Sequence, residues 1–429
     1  MTGQKERQAL RTLAKQWMDF AGLPVMGERR RQWEAVKNLK PEKPVILVET
    51  CMLPDYIEEK EMVCEDPYLR NVEKSLFEIV RHAGEIGDDL VVDPFFRIPW
   101  VIRISDYGVP LTTHHARTSS GNDLGYSFNF PIQSAEDVLR LKLRSRAVDR
   151  AETLRRRDLL QDLFGDILPV IVSGYDYFNP DTGYSPWLGN LYCGLTMDLF
   201  KLIGNDNLLV WVYDEPELIH RIMKILRDDR IAHYKWMEEE GLLYVNTDTW
   251  NPCPGSYGFV SDLPGNNSIT GAGNGGNVRL TDCWAWADSQ ETEPISPSMF
   301  GEFFLPYIAE LCGLFGLTYY GCCEGVDDRF EYIRKAVPNL RAVSVSGWSD
   351  LFKTAELLGK DYVYSRKPVP AYISGDYPDW SLLEKDVRDT VTAAKGCSLE
   401  FCYRDIYTIN GDRARLRRWV DMTRALAES

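Results

Sequence analysis

The feature that most constrains this chain is a repeated alternation of short, β-prone apolar runs with longer amphipathic stretches. The runs are Val45–Glu49, Pro169–Ser173, Leu243–Thr247, Cys283–Ala287, Leu317–Gly321, Ala342–Ser346, Tyr362–Arg366 and Ser398–Cys402. Each is bounded by polar or turn residues, as expected of a strand buried on both faces. Ser296-Pro297-Ser298 opens a helix running to about Phe315, where Gly316 closes it. A Ser cap, a Pro in the first turn and a terminal Gly supply its start and stop chemistry. Val326–Val337 stops at Pro338, Asp350–Leu358 at Gly359 and Trp380–Lys395 at Gly396, and Asp412–Ala427 follows. From residue 283 onward strand and helix alternate five times, which predicts parallel βα units. Eight strands with helices between them is the count of a (β/α)8 barrel, so the expected class is α/β, a TIM barrel in one domain over residues 1–429. A doubly wound sheet competes, because periodicity does not show closure.

Three stretches interrupt the pattern. Asp93–Phe130 alternates apolar residues and then becomes a polar loop at Leu111–Gly125, and it reads as an insertion holding a hairpin (93–130). Trp187–Tyr213 and Asn251–Arg279 (251–279) read as further insertions with little regular patterning. Residues 1–40 read as a helical extension, two amphipathic helices packed outside the barrel.

Charge and cysteine content narrow the function class. With 64 acidic against 49 basic residues the net charge is −15, which argues against nucleic-acid binding by counterion release and against a polybasic membrane surface. No apolar run approaches the roughly 18 residues that span a bilayer. The opening MTGQKERQALRTLAKQWMDF has the charge of a signal n-region but no apolar h-region after it. Ten cysteines without a C-x-x-C pair suggest reduced thiols and a cytoplasmic location.

Most catalytic signatures are absent or fail their context. GAGNGG at Gly271–Gly276 matches G-x-G-x-x-G, but a loop precedes it and a strand-like segment follows. A dinucleotide site needs the reverse order, so a Gly/Asn loop or lid is the reading. There is no G-x-x-x-x-G-K-[ST], H-E-x-x-H or G-x-S-x-G. His82, His220 and His233 fall in helical patterns as surface or packing residues, and His114–His115 lies in the polar insertion as a metal or acid ligand or a plain loop pair.

The strand ends carry more. They read Glu49, Gly174-Tyr175-Asp176-Tyr177, Thr247-Asp248-Thr249-Trp250, Asp288-Ser289-Gln290-Glu291, Gly321-Cys322-Cys323-Glu324, Ser346-Gly347-Trp348, Ser365-Arg366-Lys367-Pro368 and Cys402-Tyr403-Arg404-Asp405. In a barrel, chemistry collects at those ends. Thiolate and carboxylate ligands suit Zn²⁺. Counting by two along the strand places Cys322 and Glu324 toward the lumen and Cys323 outward, with Cys402 available across the barrel as a third ligand. The alternative is that these thiols are small buried hydrophobes.

The segments ISPSMFGEFFLPYIAEL, FGLTYYGCCEG, VPNLRAVSVSGWSD, YVYSRKPVPA and RDIYTINGDRARLRRW together resemble the uroporphyrinogen decarboxylase-like superfamily, over roughly residues 280–425. That resemblance implies a (β/α)8 barrel. The superfamily holds haem-pathway decarboxylases and corrinoid-linked methyltransferases. Where the decarboxylases carry W-F-M-R-Q-A-G-R, this chain has VILVETCMLPDY with no Arg, which turns the expectation toward methyl transfer. Coenzyme M methyltransferases carry His-x-Cys after the fifth strand and a distant Cys after the last. Cys322 matches the first Cys and Cys402 the distant one (Cys397 is nearly as well placed), while Tyr320 stands at the His position. The implied zinc ligands are Cys322, Glu324 and Cys402, with Glu400 as a further ligand or acid/base.

The YGCCE segment resembles superfamily members that look like first-step corrinoid-dependent methyltransferases, of the O-demethylase or coenzyme M methyltransferase type. These would pass a methyl group from a small methoxyaromatic or methylamine-like donor to Co(I) of a separate corrinoid protein. Cobalamin would come from that partner, since the chain has no D-x-H-x-x-G signature; a homodimer is compatible. The leaving group needs a proton or Lewis acid, for which Glu324, Lys367, Tyr320 or zinc are the candidates. Tyr175, Tyr177, Trp250, Trp286, Trp348, Gln290 and Glu400 are the expected donor-binding residues, the aromatics acting by stacking or cation–π contact. Two other readings remain: a decarboxylase or lyase with Lys367 and Arg404 clamping a carboxylate, and a non-catalytic binding barrel.

Overall fold

In the computed structural model, residues 3–51, 53–117, 123–186, 188–249, 253, 255–264 and 278–428 are described. Eleven strands run in chain order as β1 (Val45–Val48), β2 (Phe96–Ile104), β3 (Thr113–Arg117), β4 (Asp123–Phe128), β5 (Arg146–Val148), β6 (Val170–Phe178), β7 (Trp284–Ala287), β8 (Leu317–Tyr320), β9 (Leu340–Val345), β10 (Val363–Arg366) and β11 (Ser398–Tyr403). The helices are α1 (Gln4–Ala21), α2 (Val25–Lys37), α3 (Pro67–Glu85), α4 (Ala135–Val138), α5 (Arg150–Phe164), α6 (Thr196–Asp214, kinked at Gly204), α7 (Pro216–Glu239), α8 (Pro297–Phe303), α9 (Leu305–Cys312), α10 (Phe330–Ala336), α11 (Leu351–Leu358), α12 (Trp380–Ala393) and α13 (Ala414–Ala427). None is long and apolar enough to cross a membrane among the described residues.

The protein is a mixed α/β fold around a six-stranded sheet ordered β1-β11-β10-β9-β8-β7, every neighbouring pair parallel. A second sheet, ordered β5-β2-β6, pairs β2 parallel to β6 and antiparallel to β5. The β2–β6 register slips between Ile98 and Trp100; Pro99, which has no N–H to give a ladder, sits at the slip.

Register sorts the side chains of the large sheet onto two faces. Ile46, Val48, Tyr320, Val343, Tyr364, Phe401 and Tyr403 pack against the surrounding helices. Val45, Leu47, Trp284, Trp286, Tyr319, Ala342 and Val363 share the inner core with Phe96, Ile98, Val170 and Val172 of the second sheet. No strand ladder joins the two sheets among the described residues. Side chains and isolated backbone bonds meet the edges instead. At β1, Asp89 Oδ2 accepts from Ile46 N at 2.8 Å and Asp88 Oδ2 from Val48 N at 2.9 Å. At β7, the Asn246 amide accepts from Trp284 N at 2.8 Å and donates to Trp284 O at 3.0 Å.

Seven of the eight expected strands are present, and Leu243–Thr247 forms no strand ladder. Its place at the β7 edge is taken by the Asn246 side chain, which carries both a donor and an acceptor. Asp93–Phe130 is only partly an insertion. Its first half is β2, a member of the inner core, and its second half holds the expected hairpin, β3–β4. Trp187–Tyr213 contains most of the long helix α6 rather than irregular chain. The helix expected to run unbroken to Phe315 breaks at Phe304 (φ −121°), because Pro306 cannot donate into the turn before it. Asn251–Arg279 is described only in part, and Gly271–Gly276 lies outside the described residues.

Of the two N-terminal helices, α1 packs against α3 and α5, and α2 packs against β1 and β11 and reaches inside the sheet. Lys37 ends α2 fully buried, 2.6 Å from the equally buried Glu400 of β11, and its ammonium faces the Trp33, Trp284 and Tyr319 rings at 5.7–6.0 Å. His82 is buried rather than superficial: Nε2 lies 2.8 Å from Asp88 Oδ2.

Candidate active site

The C-terminal ends of β7 to β11 open into one cavity of about 410 Å³. Parallel sheets favour a site there, because successive loops leave the same edge with their polar groups. Cys322 and Cys323 follow β8, Ser346, Gly347 and Trp348 follow β9, Lys367 follows β10, and Arg404 and Asp405 follow β11. Gln290 arrives from beyond β7 and Tyr126 from the β3–β4 hairpin.

Arg404 organises the buried wall. Its Nη1 donates to Cys322 Sγ at 3.4 Å, Nη2 to Asp405 Oδ1 at 3.1 Å, and Nε lies 3.5 Å from Glu49 Oε2. Burial works against the guanidinium charge, but Glu49, Cys322 and Asp405 outweigh it and raise its pKa. Burial likewise opposes the Lys367 ammonium, and Cys253, Cys402 and Glu400 outweigh that, so Lys367 stays a cation. Glu49 itself is raised by burial against the pull of Arg404. The two thiols lie 3.7 Å apart; their hydrogen bond pushes Cys322 up and Cys323 down.

Glu324 stands behind this wall. Its Oε1 accepts from Ser289 N and its Oε2 from Cys322 N, both at 2.9 Å. Burial, with Glu291 nearby, raises its pKa over those hydrogen bonds. Tyr320 faces the helices, its hydroxyl 2.8 Å from Ser289 Oγ. Counting by two fails beyond β8 because Gly321 takes φ +99°, a left-handed conformation that turns the chain. Tyr320 therefore falls on the outer core, Cys322 on the inner one, and Cys323 reaches the cavity instead of pointing away.

The three expected zinc ligands are not brought together. Both Glu324 oxygens hold backbone N–H groups, Cys322 Sγ accepts from Arg404, and Cys402 Sγ lies 3.9 Å from Ser365 Oγ. Among the described residues no three His, Cys, Asp or Glu side chains are grouped to hold a metal, so this donor set does not fit zinc. Glu400 belongs to the floor, where Lys37 overcomes burial and holds its carboxyl below the ordinary value. Trp286 is packed, donating Nε1 to Gly321 O at 3.1 Å with its ring 4.7 Å from Tyr192. Tyr175 and Tyr177 line a different cavity of about 500 Å³ with Tyr184 and Lys201, and Tyr177 meets His233 Nε2 at 3.0 Å. Lys367, Gln290 and Trp348 do converge, with Trp348 76% exposed at the rim. Trp250 lies outside the described residues. His114 and His115 are exposed on the hairpin.

A neighbouring cavity of about 340 Å³ was not legible from any motif. It holds Glu49, Glu78, His82, Asp93 and Arg97 beside Trp17 and Phe95. Arg97 donates to Asp93 at 3.0 Å and to Asp248 at 2.7 Å. Arg97 and Asp248 alone are 151 positions apart; the available signal was the acids at the ends of Val45–Glu49 and Leu243–Thr247.

No family model matches the sequence, and no curated protein matches it. Among solved structures, a methyltransferase from Methanosarcina mazei superposes over 92% of this chain and 98% of its own, with 11% identity and a TM-score of 0.49. A likeness that loose bears on neither the fold nor the chemistry.

Proposed function

We propose that the chain is a methyltransferase that removes a methyl group from a small methylated donor and delivers it to the Co(I) of a separate corrinoid protein. The observation that carries this reading is the open cavity at the strand ends, where the buried cations Lys367 and Arg404 sit beneath an exposed Trp348. The resemblance of residues 280–425 to the uroporphyrinogen decarboxylase-like superfamily supports it.

The corrinoid supplies the nucleophile for the methyl carbon. The protein must orient the donor and protonate the group that leaves. Lys367 carries the proton: it is a buried cation in the cavity wall. Arg404, held by Glu49, Asp405 and Cys322, orients an electron-rich leaving group or an acidic substituent on it. Leaving-group activation rests on Lys367 because Glu324 is engaged with the backbone and the thiols do not form a zinc site.

The test mixes protein with reduced cobalamin and a panel of methoxyaromatics and methylamines, reading the spectral change on methylation of cobalt. No change with any donor overturns the reading. With an active donor, Lys367→Met should lower the rate about 10²–10⁴-fold, the span of a general-acid contribution. The paired cations also favour a second reading, a carboxylate clamp for decarboxylation, which predicts CO₂ release without cobalamin.

A further inference from the structure

The proposed transfer gives the two adjacent thiols of the cavity no chemical step. Cys322 and Cys323 leave β8 through Gly321, and their sulfurs lie 3.7 Å apart. Cys322 is buried, and Arg404 Nη1 holds its sulfur at 3.4 Å. Cys323 is exposed, lines the 410 Å³ cavity, and has Asp405 Oδ2 at 3.8 Å. The other contacting pair, Cys193 and Cys312, is buried on both sides. A reactant from solvent thus meets one sulfur of this pair while the second waits behind it. A reachable thiol beside a resolving thiol is the arrangement of a redox-active cysteine.

We propose that Cys322–Cys323 is a dithiol site for small hydroperoxides, with Cys323 as the attacking sulfur and Cys322 as the resolving one. Cys323 sulfur attacks the outer oxygen of ROOH; the O–O bond breaks, and the leaving oxygen takes the thiol proton and departs as ROH. Cys323 is then a sulfenic acid. Cys322 sulfur attacks Cys323 sulfur, the S–O bond breaks, and hydroxide leaves with the Cys322 proton as water. Two thiols lose two electrons and two protons, and the peroxide is reduced to ROH and water.

Covalent geometry makes the product reversible. Adjacent Cα atoms are about 3.8 Å apart across a trans peptide, below the roughly 4.4–6.8 Å spanned by ordinary disulfides. A bond between neighbours is therefore strained, and strained disulfides are the more easily reduced ones.

The experiment treats the full-length protein with stoichiometric hydrogen peroxide, with neither cobalamin nor methyl donor present, so its outcome is separate from that of the transfer assay. Intact mass and peptide mapping should show the loss of two hydrogens, located to Cys322–Cys323 and reversed by dithiothreitol. Cys322→Ser should instead accumulate a Cys323 sulfenic acid that dimedone traps, and Cys323→Ser should abolish both products. The wild-type arm decides the matter even if a variant folds poorly. Oxidation confined to Cys51 or other thiols, or Cys323 passing to the sulfinic acid with no disulfide, overturns the proposal.

Discussion

Glu400 shows how a residue's neighbours set its role. By sequence it stood near the end of a strand among candidate ligands and acids, yet Lys37, far away in the chain, reaches it at 2.6 Å with no solvent on either side. Ser256 Oγ donates to it as well, at 2.9 Å. Removing one partner of such a pair strands a buried charge, at about 3–5 kcal/mol. Glu400→Gln should therefore lower stability by that order in urea unfolding at neutral pH. The sign with pH follows from the direction of the shift: the folded carboxyl titrates below its ordinary 4.5, so the folded state resists protonation more than the unfolded one. The pair's contribution is complete above the ordinary value and disappears as pH falls through the lower, folded one. The gap between wild type and Glu400→Gln should narrow in acid; a gap constant from neutral pH to pH 3 would contradict this account.

At the scale of elements, the sheet's edges and turns decide more than its strands. The apolar runs marked β1 and β6 to β11 because buried parallel strands need little besides apolar, β-branched and aromatic residues. They also marked Leu243–Thr247, where no ladder forms and pairing passes from backbone to the Asn246 side chain. Asn246→Ala leaves both the N–H and the C=O of buried Trp284 unpaired. At about 1–3 kcal/mol for each orphaned group, the loss in a denaturant titration should be several times that of a surface Asn→Ala. Gly321 is the second such point. A Cβ there would lie 2.9 Å from Ser344 Cβ, on a φ of +99°. Gly321→Ala should cost more than about 1 kcal/mol and also move Cys322 and Cys323, changing the cavity with the stability. Helix caps were legible where chemistry is local: Asp350 caps α11, accepting from Phe352 N and Lys353 N at 3.0 Å.

Across the whole molecule, the strand ends gather Lys367, Arg404, two thiols and Trp348 at one mouth. Under the proposed function that mouth receives a partner, and Trp348, 76% exposed, is an aromatic anchor available to it beside Tyr126 and Tyr407. Trp348→Ala should leave stability within about 0.5 kcal/mol. It should weaken acceptor binding by about 2 kcal/mol, the scale of an interface hot spot, read as a roughly 30-fold rise in the half-saturating corrinoid concentration. Equal loss of stability and binding would place Trp348 in the fold instead. The alternation of apolar runs and amphipathic helices, with their caps, followed from sequence alone, because short-range propensity and period depend on near neighbours. So did the location of polar residues at strand ends, and thus the candidacy of Lys367, Gln290 and Trp348. Tertiary structure alone decided which of those ends meet. It turned Cys323 into the cavity through one left-handed glycine, engaged Glu324 with the backbone, sent Tyr175 and Tyr177 to another cavity, and closed Glu400 beneath Lys37. Each depends on a partner brought from far along the chain or on a single change of backbone hand, and neither is written in local pattern.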